Sequence, residues 1–377
     1  MKKMLIYAYT EFNLGDDLFI KVLCERYPDT QFRICAPSLY KQCFKEIKNL
    51  KVYPSDSLFL RGVAFICRRL KIHNLAQKYM ADRSDGVVHI GGSIFMQAEH
   101  WEEHFKNAEA IRNKNKPYYL LGSNFGPYTD KEYYEEHRRI FKDYTDICFR
   151  EKYSYDLFED LDHVRLAPDI IFQLNPPDLQ PEPEAEDYIV LSVIKPSSKG
   201  LNGFDNLYYE KMKELAIYFI EKGYAVHFMS FCEHEGDQLA IEEIRSLMGS
   251  SYKDAIQVHL YKTNMEEVLA VLANSSFIIA SRFHAMILGW VLGKPVFPVA
   301  YSQKMINVME DAQYKGLYTD FTTLEQLQPA QVFDSMTTHY MDVTPQAKHA
   351  ERHFEHLDTF LSLYERRIRY ESQAEHS

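Results

Sequence analysis

No apolar run in this chain of 377 residues approaches the roughly 18–20 residues that span a bilayer. The start, "MKKMLIYAYTEFN", imitates a secretory leader for a few residues, but its apolar core is short and Glu11 interrupts it. The expectation is a cytoplasmic protein whose contact with a membrane, if any, is peripheral and at the inner face. Long basic runs are also missing. None exceeds two residues, as at Arg68–Arg69 and Arg138–Arg139, and the formal net charge is −11. That argues against nucleic acid as a main partner. A small anionic substrate stays open, because a few local cations override the global sign. Cysteine is scarce: six residues (24, 35, 43, 67, 148, 232), none in Cys-x-x-Cys spacing and most in apolar segments. Buried thiols of a reducing compartment fit that pattern better than disulfides. No His/Cys/Asp cluster shows metal-ligand spacing, so no metal is required, and no cofactor is expected.

What is present is an ordinary globular composition, 46% hydrophobic and 26% charged, in a chain long enough for two cores. The first half alternates short apolar runs with helical patterns: "MLIYAY" (4–9), "FRICAP" (32–37), "GVVHIGG" (86–92), "YYLLGSNFG" (118–126) and "DICFRE" (146–151). Such runs predict parallel strands covered on both faces. Four prolines between 176 and 183, set among acids, then read as a stiff connector. After it the rhythm restarts with "YIVLSVI", "AVHFMSF", "IQVHL" and "SFIIA". The expected fold is α/β: a Rossmann-like domain over 1–178 and a second over 187–377, facing a cleft. The last 30 residues read as one charged amphipathic helix ending the second domain.

Five strand-end segments carry candidate chemistry. In "NLGDD", Gly15 permits a tight turn and Asp16 or Asp17 caps the following helix or takes a proton from a substrate hydroxyl. In "HIGGSIF", Gly91 and Gly92 allow close approach of a ligand to the backbone; the third glycine and distal acid of a dinucleotide fingerprint are missing. "GSNFGPY" is a similar loop that a plain turn explains equally well. "FREKYS" places Arg150 at a strand end, suited to bidentate binding of carboxylate or phosphate, or to a surface ion pair. "SRFHAMILGWVLGKPVFPVAYSQK" puts Arg282 and His284 at the start of an apolar helix and Lys304 at the next strand end. Three cationic or cationisable groups on consecutive loops point to an anion site.

The elements "NLGDD", "GGSIF", "FREKYS", "SRFHA" and "YSQK", in this order over residues about 13 to 310, resemble the polysaccharide pyruvyl transferase family. The resemblance implies a GT-B-like fold with phosphoenolpyruvate as donor substrate. It also implies transfer of pyruvate to two sugar hydroxyls as a cyclic ketal, with release of phosphate. It places a donor-binding arginine on Arg150, an Arg-His pair on Arg282 and His284, and a lysine on Lys304. Asn13, Gly91, Gly92, Ser93 and Tyr301, from the same motifs, complete the candidate substrate-binding set. The first domain is then the acceptor side, contributing Arg150, and the second holds the donor anion. His284 is the expected general acid, with Asp16 or Asp17 as base. The implied acceptor is a sugar of a bacterial surface glycan, carried on a lipid-linked oligosaccharide in one version. Asn124 and Phe125 depart from the more glutamine- and glycine-rich family loop, so acceptor contacts transfer least well. A GT-B glycosyltransferase using a nucleotide sugar, with Glu310 or Asp311 on the ribose, is the alternative; an idle anion-binding protein is a third reading.

Overall fold

The computed structural model describes residues 1–58, 74–176, 187–337 and 340–362. Cys67, residues 177–186 of the proline-rich connector and the C-terminal tail from 363 lie outside the described residues. The chain forms two compact units. One comprises Met1–Thr10, Leu18–Gln173 and the stretch from Lys348; the other comprises Glu11–Asp17 and Leu174–Ala347.

The first unit is built on a seven-stranded sheet: β1 (Lys3–Tyr7), β2 (Gln31–Ala36), β3 (Leu50–Pro54), β4 (Gly86–Ile90), β5 (Tyr118–Ser123), β6 (Asp146–Phe149) and β7 (Val164–Leu166). Every pairing is parallel and the order is 3-2-1-4-5-6-7. The second unit has β8 (Tyr188–Ser192), β9 (Ala225–Ser230), β10 (Ile256–Leu260), β11 (Phe277–Ala280), β12 (Val296–Ala300) and β13 (Thr319–Asp320). These too are all parallel, in the order 10-9-8-11-12-13. Both units therefore repeat the doubly wound pattern, with the strand order reversing between β1 and β4 and between β8 and β11. Strands β4, β5, β6, β11 and β12 are buried along their whole length, which is why they read as unbroken apolar runs. The periodicity overlooks β3 and β7. Both are edge strands, half exposed, and so lack such a run.

The C-terminal stretch differs from expectation in two ways. It is not one helix: Thr344–Ala350 is followed by a 3-10 turn, Glu351–Phe354, before helix resumes over 355–362. And from Lys348 it belongs to the first unit rather than the second. The reason is a set of long-range contacts. Arg26 Nη2 and Tyr27 Oη donate to the Asp358 carboxylate at 2.8 and 2.7 Å. His353 Nε2 donates to the Pro168 carbonyl at 2.7 Å. Phe354 and Leu357 are fully buried, and Lys2 Nζ lies 3.0 Å from the centre of the Phe360 ring.

Among the described residues no helix is long and apolar enough to cross a membrane. Burial pushes the Cys148 and Cys232 thiols up to about 12, far from the thiolate range in which cysteine reacts. Leu357→Ala is expected to destabilise the protein by about 2–5 kcal/mol, the range for a buried leucine truncated to alanine. Hydrogen exchange should then show lost protection in β5–β7. Loss confined to β8–β13 would contradict the assignment of this stretch to the first unit.

Candidate functional site

Residues 11–17 belong with the second unit through backbone pairing. Leu14 N–H donates to the Phe231 carbonyl at 3.0 Å, and Asn13 bridges Cys232, directly beyond β9. The helix Leu14–Arg26 opens here, and its cap is Asn13, whose Oδ1 accepts the Gly15 N–H at 3.1 Å. Neither aspartate caps it, as the sequence had suggested. They stand within the first turn, where their charge opposes the helix's positive end. Both are buried. Asp17 is fully so, and its Oδ2 accepts a hydrogen bond from Tyr261 Oη at 2.6 Å.

Gly15 has a more pointed role than turn formation. A Cβ added there would fall 1.7 Å from His284 Nδ1 and 2.2 Å from its Cγ. The imidazole lies flat on the Gly15 Cα, so "NLGDD" and "SRFHA" meet face to face within one unit. His284 sits in the first turn of the helix Phe283–Val291, entered directly from β11, and is half-buried. The rest of that helix is apolar and buried because it lies between β11 and β12, where Gly289 admits Val296 at close range.

Arg282, at the N-cap of the same helix, faces carboxylates. Its Nε donates to Asp237 Oδ2 at 2.8 Å, Nη2 to Asp237 Oδ1, and Nη1 to Glu235 Oε2. Lys199 Nζ donates to the same Glu235 oxygen. Asp237 also accepts the N–H groups of Phe231 and Cys232, at 2.8 and 3.0 Å. Two cations and two carboxylates thus cancel in a largely buried cluster. Burial alone would raise the Glu235 carboxyl, but Arg282 and then Lys199 overrule it and hold it at about 2. Burial, with Arg282 beside it, lowers the Lys199 ammonium. Sequence reasoning missed Lys199, Glu235, Asp237 and Tyr261. Asp237 opens the helix Asp237–Leu247 and Glu235 lies two residues before it, and only the fold brings them to Arg282, 45 residues beyond Asp237.

Phe283 joins the remaining groups. Its ring stands edge-on to His284, with centroids 5.1 Å apart, and Lys304 Nζ lies 4.6 Å from its centre. Lys304 is in the first turn of the helix Gln303–Asp311, after β12. Tyr301, half-buried at the same strand end, has Lys199 Nζ 5.6 Å from its ring centre. Asn13, Asp16, Asp17, Arg282, His284, Tyr301 and Lys304 therefore all stand at the carboxyl-edge loops of the second unit.

Gly91, Gly92, Ser93 and Arg150 form a separate constellation in the first unit. Arg150 follows β6 with its side chain buried. Nη1 pairs with Asp169 Oδ2 at 2.7 Å, and Nη2 donates to Asn124 Oδ1 at 2.9 Å and contacts Ser93 Oγ at 3.5 Å. Its guanidinium lies on Gly92, where a Cβ would come within 2.7 Å of it. Asp169, also missed from sequence, sits next to Pro168, the acceptor of the His353 hydrogen bond. Burial, reinforced by Arg165 and Arg150, lowers the His353 imidazole to about 3, so it is neutral.

Two expected outcomes follow from this geometry. Gly15→Ala and Gly92→Ala should each destabilise the protein by about 1–3 kcal/mol through overpacking, whereas Gly249→Ala, whose Cβ meets only ordinary contacts at 3.8 Å, should be near neutral. Equal urea midpoints for all three would refute the close approach. The second outcome concerns acid. Because the folded Glu235 carboxyl lies below the value of about 4.3 for a free glutamate, its contribution is whole above about pH 5 and fades as the pH falls toward about 2. The stability gap between wild type and Glu235→Gln should accordingly shrink between about pH 5 and pH 3. A gap that stays constant would show that the charge is not what Glu235 contributes.

Comparison with known proteins bears on both constellations. The family model for polysaccharide pyruvyl transferase matches residues 13–303, from Asn13 to one residue short of Lys304. The amylovoran biosynthesis protein AmsJ of Erwinia amylovora is 22% identical over 288 residues, covering 70% of this chain and 68% of that protein. Among solved structures, the UDP-GlcNAc 2-epimerase of Neisseria meningitidis bound to UDP-GlcNAc aligns with a TM-score of 0.60 at 11% identity, over 96% of this chain and 100% of that one. Anabaena HepE in complex with UDP and glucose aligns with a TM-score of 0.56 at 11% identity, over 99% of each chain. At such identities the likeness is one of fold, two Rossmann-like α/β units of the GT-B type. The family match covers well over half of the sequence and both motif sets, and on it this chain belongs to the polysaccharide pyruvyl transferase family.

Proposed function

We propose that this chain transfers pyruvate from phosphoenolpyruvate to two hydroxyls of one sugar, forming a cyclic ketal and releasing phosphate. The acceptor is a sugar of a polysaccharide or of its lipid-linked precursor, met at the cytoplasmic face of the membrane. Family membership supports the transferase class. The observation that carries the chemistry is the His284 ring lying on Gly15, with Asp16 and Asp17 next in the chain. A proton donor and candidate proton acceptors are thereby held together at one strand edge.

The reaction needs a proton delivered to the donor's methylene carbon, which leaves an oxocarbenium-like carbon beside the carboxylate. His284 is the assigned acid, and a nearby phosphate charge would favour its imidazolium form. A sugar hydroxyl attacks that carbon and loses its proton to a carboxylate. We assign this to Asp16, which keeps some exposure, whereas Asp17 is wholly buried against the Tyr261 hydroxyl. The carbon–oxygen bond to phosphate then breaks, and the second hydroxyl closes the ketal. One hydroxyl proton ends on the new methyl group and the other on phosphate, so the atoms balance. Lys304 and the N-terminus of the helix Phe283–Val291 supply the positive field for the donor's carboxylate and phosphate. Arg282 and Arg150, whose partners are carboxylates, enter this reading as positioning residues: Arg282 for its helix and Arg150 for Gly92, Ser93 and Asn124.

Thermal melting with phosphoenolpyruvate and, separately, with UDP-glucose tests the donor. A ligand at about 100 times its dissociation constant adds roughly 2.7 kcal/mol, a shift of several degrees for a domain of this size. Phosphoenolpyruvate alone should give it, and Lys304→Ala should abolish it. His284→Ala should keep the shift but lose about 10²–10⁴-fold in phosphate release with acceptor present. A shift with UDP-glucose only would make the chain a nucleotide-sugar enzyme and end this reading.

A further inference from the structure

In the first unit, three strand-end loops are joined into one rigid shelf beyond the sheet. Phe95 pairs with Phe125 in parallel fashion, past the ends of β4 and β5. Gly126 N–H donates to the Phe95 carbonyl at 2.7 Å, and Gln97 N–H to the Pro127 carbonyl at 3.1 Å. Gln97 also accepts the N–H groups of Thr129 and Asp130 through its side-chain oxygen, at 2.7 and 3.0 Å. The loop after β6 is tied on by Ser154, whose hydroxyl accepts the Phe125 N–H at 2.7 Å and donates to Glu151 at 2.8 Å.

That shelf carries apolar groups turned to solvent. Met96 is 52% exposed and Tyr153 51% exposed. Tyr128 is half-buried and stacked on Tyr134, with centroids 5.8 Å apart and planes inclined by 13°. Between the two outer rings sits Gly126, in the left-handed region at φ 94°. A Cβ at this position would lie 3.5 Å from Tyr128 and 3.9 Å from Tyr153. Gly126 is itself buried, so the tyrosine rings rather than the backbone are what the shelf presents here.

We propose that this shelf is a saccharide subsite, in which Tyr153 and Tyr128 pack on the apolar face of a pyranose ring of the acceptor. A tyrosine ring offers a flat hydrophobic surface together with a hydroxyl, the pairing that a sugar's CH face and rim of hydroxyls require. Its place at the carboxyl ends of parallel strands is where doubly wound sheets take ligands. Rigidity matters as well, because stacking partners fixed in advance lose little entropy on binding. The subsite deepens the transferase reading, on which the word acceptor rests, but the saccharide binding itself is separable from it.

The test uses the full chain, an array of bacterial surface oligosaccharides, and saturation-transfer NMR with methyl β-galactoside and methyl β-glucoside. Wild type should bind at least one of these saccharides, and Tyr153→Ala and Met96→Ala should bind it about tenfold more weakly. Tyr153→Phe, which keeps the ring, should retain most of the binding. The thermal shift with phosphoenolpyruvate should be unchanged in all three variants, which shows that they fold. Variants that bind saccharide as wild type does overturn the proposal, and so does a wild type that binds none. Saccharide binding that is lost in Tyr153→Ala, in a protein that gives no shift with phosphoenolpyruvate, upholds the subsite and removes the donor reading instead.

Discussion

The carboxylate of Asp237 is the hinge of the second unit's strand edge. It holds both nitrogens of one side of the Arg282 guanidinium and, at the same time, the backbone N–H groups of Phe231 and Cys232. The segment those N–H groups belong to receives Leu14 through the Phe231 carbonyl and Asn13 through Cys232. One buried anion therefore fixes the entry of the helix bearing His284 and the seat of the helix start bearing Gly15. Breaking such a pair by deleting one partner typically costs about 3–5 kcal/mol, since the other charge stays buried without compensation. The geometry of the imidazole against Gly15 is downstream of that pair. It depends on two chain segments that are distant in sequence being clamped to the same short stretch after β9.

The two units solve a common packing problem in the same way. In each, a strand-end glycine lies under a flat nitrogen-bearing group, Gly15 under the His284 imidazole and Gly92 under the Arg150 guanidinium. In neither case is the glycine at a positive φ, so conformational freedom is not what the position demands. What it demands is the absence of a Cβ. The planar group can then approach to van der Waals contact with the backbone and keep its edge nitrogens for polar partners. This is a constraint on shape rather than on backbone torsion.

Much of the architecture was readable from the apolar runs, because strands covered on both faces by helices have no solvent side to encode. The same logic explains what was missed. β3 and β7 lie at an edge and carry mixed residues, and the C-terminal stretch declares its amphipathic face but not which core that face will cover. At the site, the motif residues themselves stood out as charged or glycine positions at strand ends. Their partners did not. Asp169, Asp237 and Glu235 are ordinary acids near turns and helix starts, and nothing local distinguishes them from solvated ones. The capping of the first helix was misread for a related reason. Asp16, Asp17 and Asn13 are all competent caps by type, and the choice of Asn13 follows from its position one residue before the helix, where the backbone is not yet helical.

Charge bookkeeping bears on how an anion would be received. Arg150 is matched by Asp169, and Arg282 together with Lys199 by Asp237 and Glu235, so the arginines bring almost no net field to either strand edge. Replacing such pairs with apolar residues is often neutral or stabilising, so stability alone is a weak reason to keep them. Their contribution is better described as geometric. A guanidinium bound on both faces of its fork cannot swing, and neither can the helix N-terminus or glycine loop it touches. Lys304 lies against the Phe283 ring, and His284 against Gly15. On the transferase reading, the division is between ion-paired arginines that build the strand edges and the Lys304 and His284 groups proposed to meet the donor. A phosphate and a carboxylate entering such a place would find their field already oriented.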